Sequence, residues 1–179
     1  MVYVFLANGF EEIEALTPID MLKRAGIDVM SVSINDTVEV IGTHNIKVLA
    51  DTTLDNINIE NIDAVVLPGG LPGADNLRMN KKVNEFIDEA NRQNKYVCAI
   101  CASPRTLGEK GLLVGKKATC FPGFEKYLKD AVTVDEGCVR DGNIITAKSM
   151  GKSIEFAKEI IAALKDRDTS EEIIQSIFA

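Results

Sequence analysis

The stretch Tyr96-Val97-Cys98-Ala99-Ile100-Cys101-Ala102-Ser103-Pro104 decides the fold. It opens with a short apolar run over residues 96–100, the mark of a strand buried on both faces. It closes by starting a helix, with Ser103 as the expected N-cap and Pro104 at the first helical position. Cys101 falls on the sharp turn between them, the layout of a nucleophile elbow, and the small Ala99 and Ala102 suit so crowded a turn. A thiol just ahead of a helix N-terminus meets about half a positive elementary charge from unpaired N–H groups. That field is expected to favour the thiolate and lower the thiol pKa. Cys101 is the candidate nucleophile; the plainer alternative is a buried cysteine that only fills space.

Working outward, residues 64–67 form a second continuous apolar run, entered from Asp63 and closed by Pro68-Gly69-Gly70. It reads as a neighbouring parallel strand. Between the two runs Val83, Phe86, Ile87 and Ala90 fall at i, i+3, i+4 and i+7, so a helix crosses a face of the sheet. The first strand is predicted at residues 2–6, stopping at Asn8-Gly9. A helix follows over residues 11–25 with Gly26 as its stop. Pro18 leaves two readings: a helix starting there with Thr17 as N-cap, or one starting near Glu11 that continues through a kink. Strands at 28–32, 38–41 and 46–49 read as an antiparallel excursion. Towards the C-terminus come strands near 117–120, 132–134, 138–140 and 143–146, with a helical turn near 124–128. Asp141-Gly142 marks a hairpin. Ile154, Ala157, Ile161 and Leu164 stripe a long helix, and Thr169 with Glu172 reads as a capping box for the last one. Alternating buried strands and crossover helices imply an open, mostly parallel α/β sheet covered on both faces. Its ligand site belongs beyond the carboxyl ends of the strands.

The chain has 179 residues, which fits one domain over residues 1–179. Its 27 acidic against 20 basic side chains give a net charge of −7, a field that repels phosphate backbones and anionic lipid. Nucleic acid and membrane surfaces are therefore not the expected partners. No apolar stretch approaches the roughly 20 residues of a membrane span. The N-terminus has no basic region ahead of its apolar run, as a secretory leader would, so a cytoplasmic protein is expected. Four cysteines are too few for a disulfide scaffold and should be thiols.

Among groups that could serve Cys101, Glu14 stands just past the first strand in Gly9-Phe10-Glu11-Glu12-Ile13-Glu14. A carboxylate beside a thiolate raises both pKa values, so the pair is useful if it shares one proton, with Glu14 neutral and donating to sulfur. Solvated acids in a first helical turn are the competing reading. Gly69 and Gly70 can bring backbone N–H groups to a reacting carbonyl, as an oxyanion hole requires, although a glycine pair is also simply a turn. Cys98 and Cys101 make a C-x-x-C, but Cys98 lies inside a strand, and residues three apart on a strand point to opposite faces, which disfavours disulfide exchange. Zinc lacks a second C-x-x-C pair, and neither metal nor cofactor is expected. His44, the single histidine, would have to supply any Cys–His dyad; a surface or interface histidine is the preferred reading.

These motifs together resemble the ThiJ/PfpI superfamily, in the branch of the Parkinson-disease-linked protein deglycase and its bacterial relatives. The resemblance runs nearly the whole chain. It rests on Gly9 to Glu14, Thr17-Pro18-Ile19-Asp20, Arg24-Ala25-Gly26-Ile27, Val66-Leu67-Pro68-Gly69-Gly70, Gly73-Ala74-Asp75-Asn76-Leu77 and Ala99-Ile100-Cys101-Ala102-Ser103-Pro104. It implies a flavodoxin-like three-layer sandwich of the class I glutamine amidotransferase-like kind, usually a homodimer. Cys101 would be the reactive, oxidation-sensitive cysteine, Glu14 its protonated partner, and the Gly69, Gly70 and Ala102 backbones the oxyanion pocket. It further implies cysteine-dependent processing of small α-oxoaldehydes or glycated side chains, as a glutathione-independent glyoxalase or protein deglycase in carbonyl and oxidative stress. The alternative is a non-catalytic redox sensor or chaperone whose Cys101 is oxidised to sulfinate. The chain departs from the family pattern at several positions. Phe121 stands before Pro122 where some relatives carry histidine, leaving neighbouring Cys120 as an auxiliary thiol. Ala102 replaces the histidine of the protease-like branch, Lys148-Ser149-Met150-Gly151 replaces a Gly-Pro, and His44 replaces an arginine.

Overall fold

The alternation of side chains along each central strand fixes how the layers assemble. In the computed structural model, which describes residues 1–179, β1 (Val2–Leu6) sends Val2, Val4 and Leu6 to one face and Tyr3 and Phe5 to the other. Both faces are buried, so the strand reads as an unbroken apolar run. β6 (Ala64–Leu67) and β7 (Tyr96–Ile100) do the same beside it. On one side α1 (Glu12–Arg24) and α5 (Ser153–Leu164) bury Met21, Leu22, Phe156, Ile160 and Ile161. On the other, α2 (Gly73–Met79), α3 (Lys81–Arg92) and α4 (Pro104–Glu109) bury Leu77, Val83, Phe86, Ile87 and Leu107. Phe86 stands edge-on to both Tyr3 and Phe5, with ring centroids 5.6 and 5.5 Å away.

With β2 (Val29–Ser33), β5 (Thr52–Thr53), β10 (Cys138–Asp141) and β11 (Ile144–Ala147), the sheet has seven strands in the order β10-β11-β7-β6-β1-β2-β5. Every pairing is parallel except β10 with β11, the hairpin turned at Asp141-Gly142. This is the flavodoxin-like sandwich expected from the sequence. β3 (Glu39–Ile41) and β4 (Lys47–Leu49) form the separate antiparallel excursion. β8 (Lys117–Ala118) and β9 (Val132–Thr133) pair in parallel as a small third sheet. The last helix is α6 (Arg167–Ser176). No helix is long and apolar enough to cross a membrane.

Several local expectations change. α1 is one helix from Glu12, capped by Glu11, whose Oε2 accepts the Glu14 N–H at 2.7 Å, so Thr17 caps nothing and Pro18 lies within the helix. The last helix is capped by Asp166, which accepts the Thr169 N–H at 2.7 Å, rather than by a Thr169–Glu172 box. Its start one turn earlier places Thr169 inside. Ser103 sits at the N-cap of α4 but has a helical backbone and no capping bond. Its hydroxyl instead donates to the Pro68 carbonyl at 2.6 Å, tying the β7 turn to the end of β6.

Candidate active site

The adjacent carboxyl ends of β6, β7 and β1 bring the candidate residues together. Cys101 leaves β7 with φ +65°, a left-handed conformation that a residue with a Cβ adopts only under strain of about 1–3 kcal/mol. Two bonds hold it there: its N–H donates to the Ala147 carbonyl at 2.9 Å, and its own carbonyl accepts the Phe121 N–H at 2.8 Å. Because the chain reverses at Cys101, strand alternation stops there. Cys98 and Cys101 consequently pack against the same core layer, not on opposite faces, and all four cysteines are free thiols.

Glu14, in the first turn of α1, is 1% exposed. Its Oε2 accepts the Gly69 N–H at 2.8 Å, and its carboxyl is hydrogen-bonded to the Cys101 sulfur and to the Met150 backbone. The sulfur in turn receives the backbone N–H groups of Gly70 and Ala102. Gly69 is required by contact: a Cβ there would stand 2.6 Å from both Cys101 Cβ and Glu14 Oε2. Gly70, with φ +82°, presses so closely on the first-strand loop that a Cβ would lie 2.4 Å from the Glu11 nitrogen. Gly69→Ala is expected to force the pair apart, lowering stability by about 1–3 kcal/mol, the usual range for overpacking. Thermal melts together with the alkylation rate of Cys101 would measure both consequences.

Burial, opposed in part by the bonds from Cys101 and Gly69, pushes the Glu14 carboxyl up to about 7. Burial and then the charge of Glu14 push the Cys101 thiol up to about 12, and the Gly70 and Ala102 donors recover only part of this. The expectation of a lowered thiol pKa is thus overturned. α4 is only six residues long, and its N-terminal field loses to desolvation and a carboxylate neighbour. The pair does hold a single proton between those two values, but on sulfur: the Cys101 thiol donates to a Glu14 carboxylate, the reverse of the neutral Glu14 donating to sulfur that the sequence led us to expect.

Other candidates lie elsewhere. Cys120 belongs to the opposite core layer and lines a separate cavity of about 270 Å³ with Thr119, Glu125, Asp135 and Lys148. Neither Cys101 nor Glu14 lines that cavity, and burial pushes the Cys120 thiol up to about 12. His44 is 67% exposed and its Nδ1 pairs with Glu12 at 2.8 Å, so the structure builds no Cys–His dyad. Glu12 also accepts the His44 backbone N–H at 2.8 Å, and with Glu11 these are the three acidic and imidazole groups that come close together. Sequence reasoning missed the backbone amides of Phe121 and Met150. Any residue can supply an amide, so side-chain identity gave no signal.

A parallel α/β sandwich whose strained cysteine turn abuts a buried carboxyl defines the class of this protein. Its residues 1–163 match the DJ-1/PfpI family, and the chain belongs to that family. It is 38% identical over 168 residues to Protein DJ-1 homolog B of Arabidopsis thaliana, covering 93% of this chain but 38% of that protein. It is 33% identical to Deglycase PfpI of Pyrococcus furiosus over 89% of this chain and 96% of the relative. Among solved structures, oxidized Toxoplasma gondii DJ-1 superposes with a TM-score of 0.95 at 32% identity, covering 99% of this chain and 97% of the other. The chain spans less than half the length of the two Arabidopsis relatives, homologs B and A, 38% and 45% respectively.

Proposed function

We propose that the chain is a cysteine-dependent enzyme of α-oxoaldehydes, acting on the free aldehydes or on their adducts with protein side chains. The observation that carries this reading is the buried Glu14 carboxyl hydrogen-bonded to a half-buried Cys101, the two sharing one proton. A relative named for deglycase activity supports it.

Glu14 takes the thiol proton as Cys101 sulfur bonds to the aldehyde carbon, then passes it to the aldehyde oxygen, giving a hemithioacetal. The Gly70 and Ala102 amides stand beside the sulfur, where the developing oxyanion needs donors. The Glu14 carboxylate next removes the hydrogen of that carbon as a proton and returns it to the adjacent carbon, while the hemithioacetal hydroxyl gives its proton to the neighbouring ketone oxygen, leaving a 2-hydroxyacyl thioester. Water cleaves the C–S bond, releasing the 2-hydroxy acid and restoring the thiol. Aldehyde plus water becomes hydroxy acid, with no external oxidant or reductant.

The test is glutathione-independent consumption of methylglyoxal with lactate release. The singly protonated pair is the working form, so kcat/KM should rise as pH climbs towards about 7, where Glu14 loses its proton, and level off above. A profile flat from pH 5 to pH 8 would remove Glu14 from the rate-determining chemistry.

A second reading, a redox sensor, is favoured by the same hydrogen bonds. A Cys101 sulfinate would accept the Gly70 and Ala102 amides and the Glu14 proton. Selective peroxide addition of two oxygens to Cys101, without aldehyde turnover, would establish it. The inferred homodimer is supported by Ile13 on α1 and by Ile46 and Leu49 of the β3–β4 hairpin, all exposed. The Glu12–His44 pair joins α1 to that hairpin.

A further inference from the structure

Three loops meet the Cys101–Glu14 pair through their backbones, and each carries an exposed apolar side chain. Leu71 follows Gly70, whose amide meets the Cys101 sulfur, and is 49% exposed. Phe121, 42% exposed, donates its N–H to the Cys101 carbonyl at 2.8 Å. Met150, 49% exposed, meets the Glu14 carboxyl through its backbone. Three loops far apart in sequence thus bring their backbones to the reacting atoms, with an exposed apolar side chain on each. Arg105 pairs with Asp75, Lys148 with Asp135, and His44 with Glu12. The net charge of −7 opposes a substrate bearing phosphate or carboxylate.

We infer that Leu71, Phe121 and Met150 form a specificity rim selecting uncharged α-oxoaldehydes with an apolar or aromatic substituent over methylglyoxal. This rests on the aldehyde reading above. The aldehyde carbon sits at the Cys101 sulfur and the substituent lies against the rim, shedding water from both surfaces. Phe121 offers a ring that an aryl group can meet edge-on or offset. A pocket discriminates by roughly 10–200-fold for as little as one methylene. A phenyl group in place of methyl should therefore separate substrates by at least tenfold.

The experiment compares kcat/KM for phenylglyoxal and methylglyoxal, each normalised to its uncatalysed rate, in the wild type, Phe121→Ser/Met150→Ser and Leu71→Ser. The altered side chains are exposed, and circular dichroism confirms folding. A wild-type ratio of ten or more, falling several-fold in the variants, is the expected result. Cys101-dependent turnover with a ratio near one would overturn the rim while leaving the aldehyde reading standing. A high ratio untouched by the substitutions would overturn the assignment to these residues. Turnover of neither aldehyde would remove the aldehyde reading and the rim with it.

Discussion

Cys101→Ser is expected to lower kcat/KM for α-oxoaldehydes by roughly three orders of magnitude or more, the scale on which loss of a nucleophile is felt. The reason is acid–base chemistry. With Glu14 at about 7 and the thiol at about 12, removing the proton is already uphill for sulfur, and a serine hydroxyl, a weaker acid and a poorer nucleophile than a thiol, lies out of reach of the same carboxylate. Serine keeps the Ala147 and Phe121 backbone bonds that hold the turn, so folding should be preserved and melts should coincide. Selective single-site oxidation should vanish with the same substitution. Turnover within tenfold of the wild type would mean that sulfur forms no bond to substrate.

The residues that made this site legible in the sequence are those whose role is written locally. A buried strand, a small-residue turn and Ser103-Pro104 place Cys101 on an elbow without knowledge of the rest of the chain, and the structure puts it at φ +65° as such a turn requires. Glu14 could be suspected because it lies in the first turn of α1, the helix that follows the loop after β1. Long-range choices were not legible. The hydroxyl of Ser103 had two acceptable uses, a local cap or the Pro68 carbonyl on another strand, and only tertiary packing decides between them. β5 has two residues, too few to show a period, and its place at the sheet edge comes from pairing with Val32 and Ser33. The direction of the Cys101 pKa is hidden for the same reason. The helix end that favours the thiolate is visible in sequence, whereas the burial and the carboxylate that outweigh it exist only once β1, β6 and β7 lie side by side.

Glu14→Gln should separate three quantities that a merely structural residue would move together. Stability comes first. The folded-state pKa of Glu14 is raised from 4.5 to about 7, so the folded chain holds this proton more tightly than the unfolded one. The penalty is absent below about pH 4.5, grows from there to pH 7, and is full above, about 3 kcal/mol at 1.36 kcal/mol per unit. Glutamine stays neutral while keeping an acceptor for the Gly69 N–H, so the variant should match the wild type near pH 4.5 and melt higher at pH 8. The gain should be about 2–4 °C per kcal/mol. Thiol reactivity comes second. Removing the neighbouring carboxylate lowers the Cys101 pKa, so alkylation by iodoacetamide at pH 8 should become faster. Turnover moves the opposite way, because glutamine cannot carry a proton between two carbons, and a loss of roughly 100-fold or more is expected. A variant that is more stable, more easily alkylated and catalytically impaired identifies Glu14 as the proton carrier. Full turnover in Glu14→Gln would show that the proton travels through water, and the carboxyl would then serve only to hold the sulfur in place.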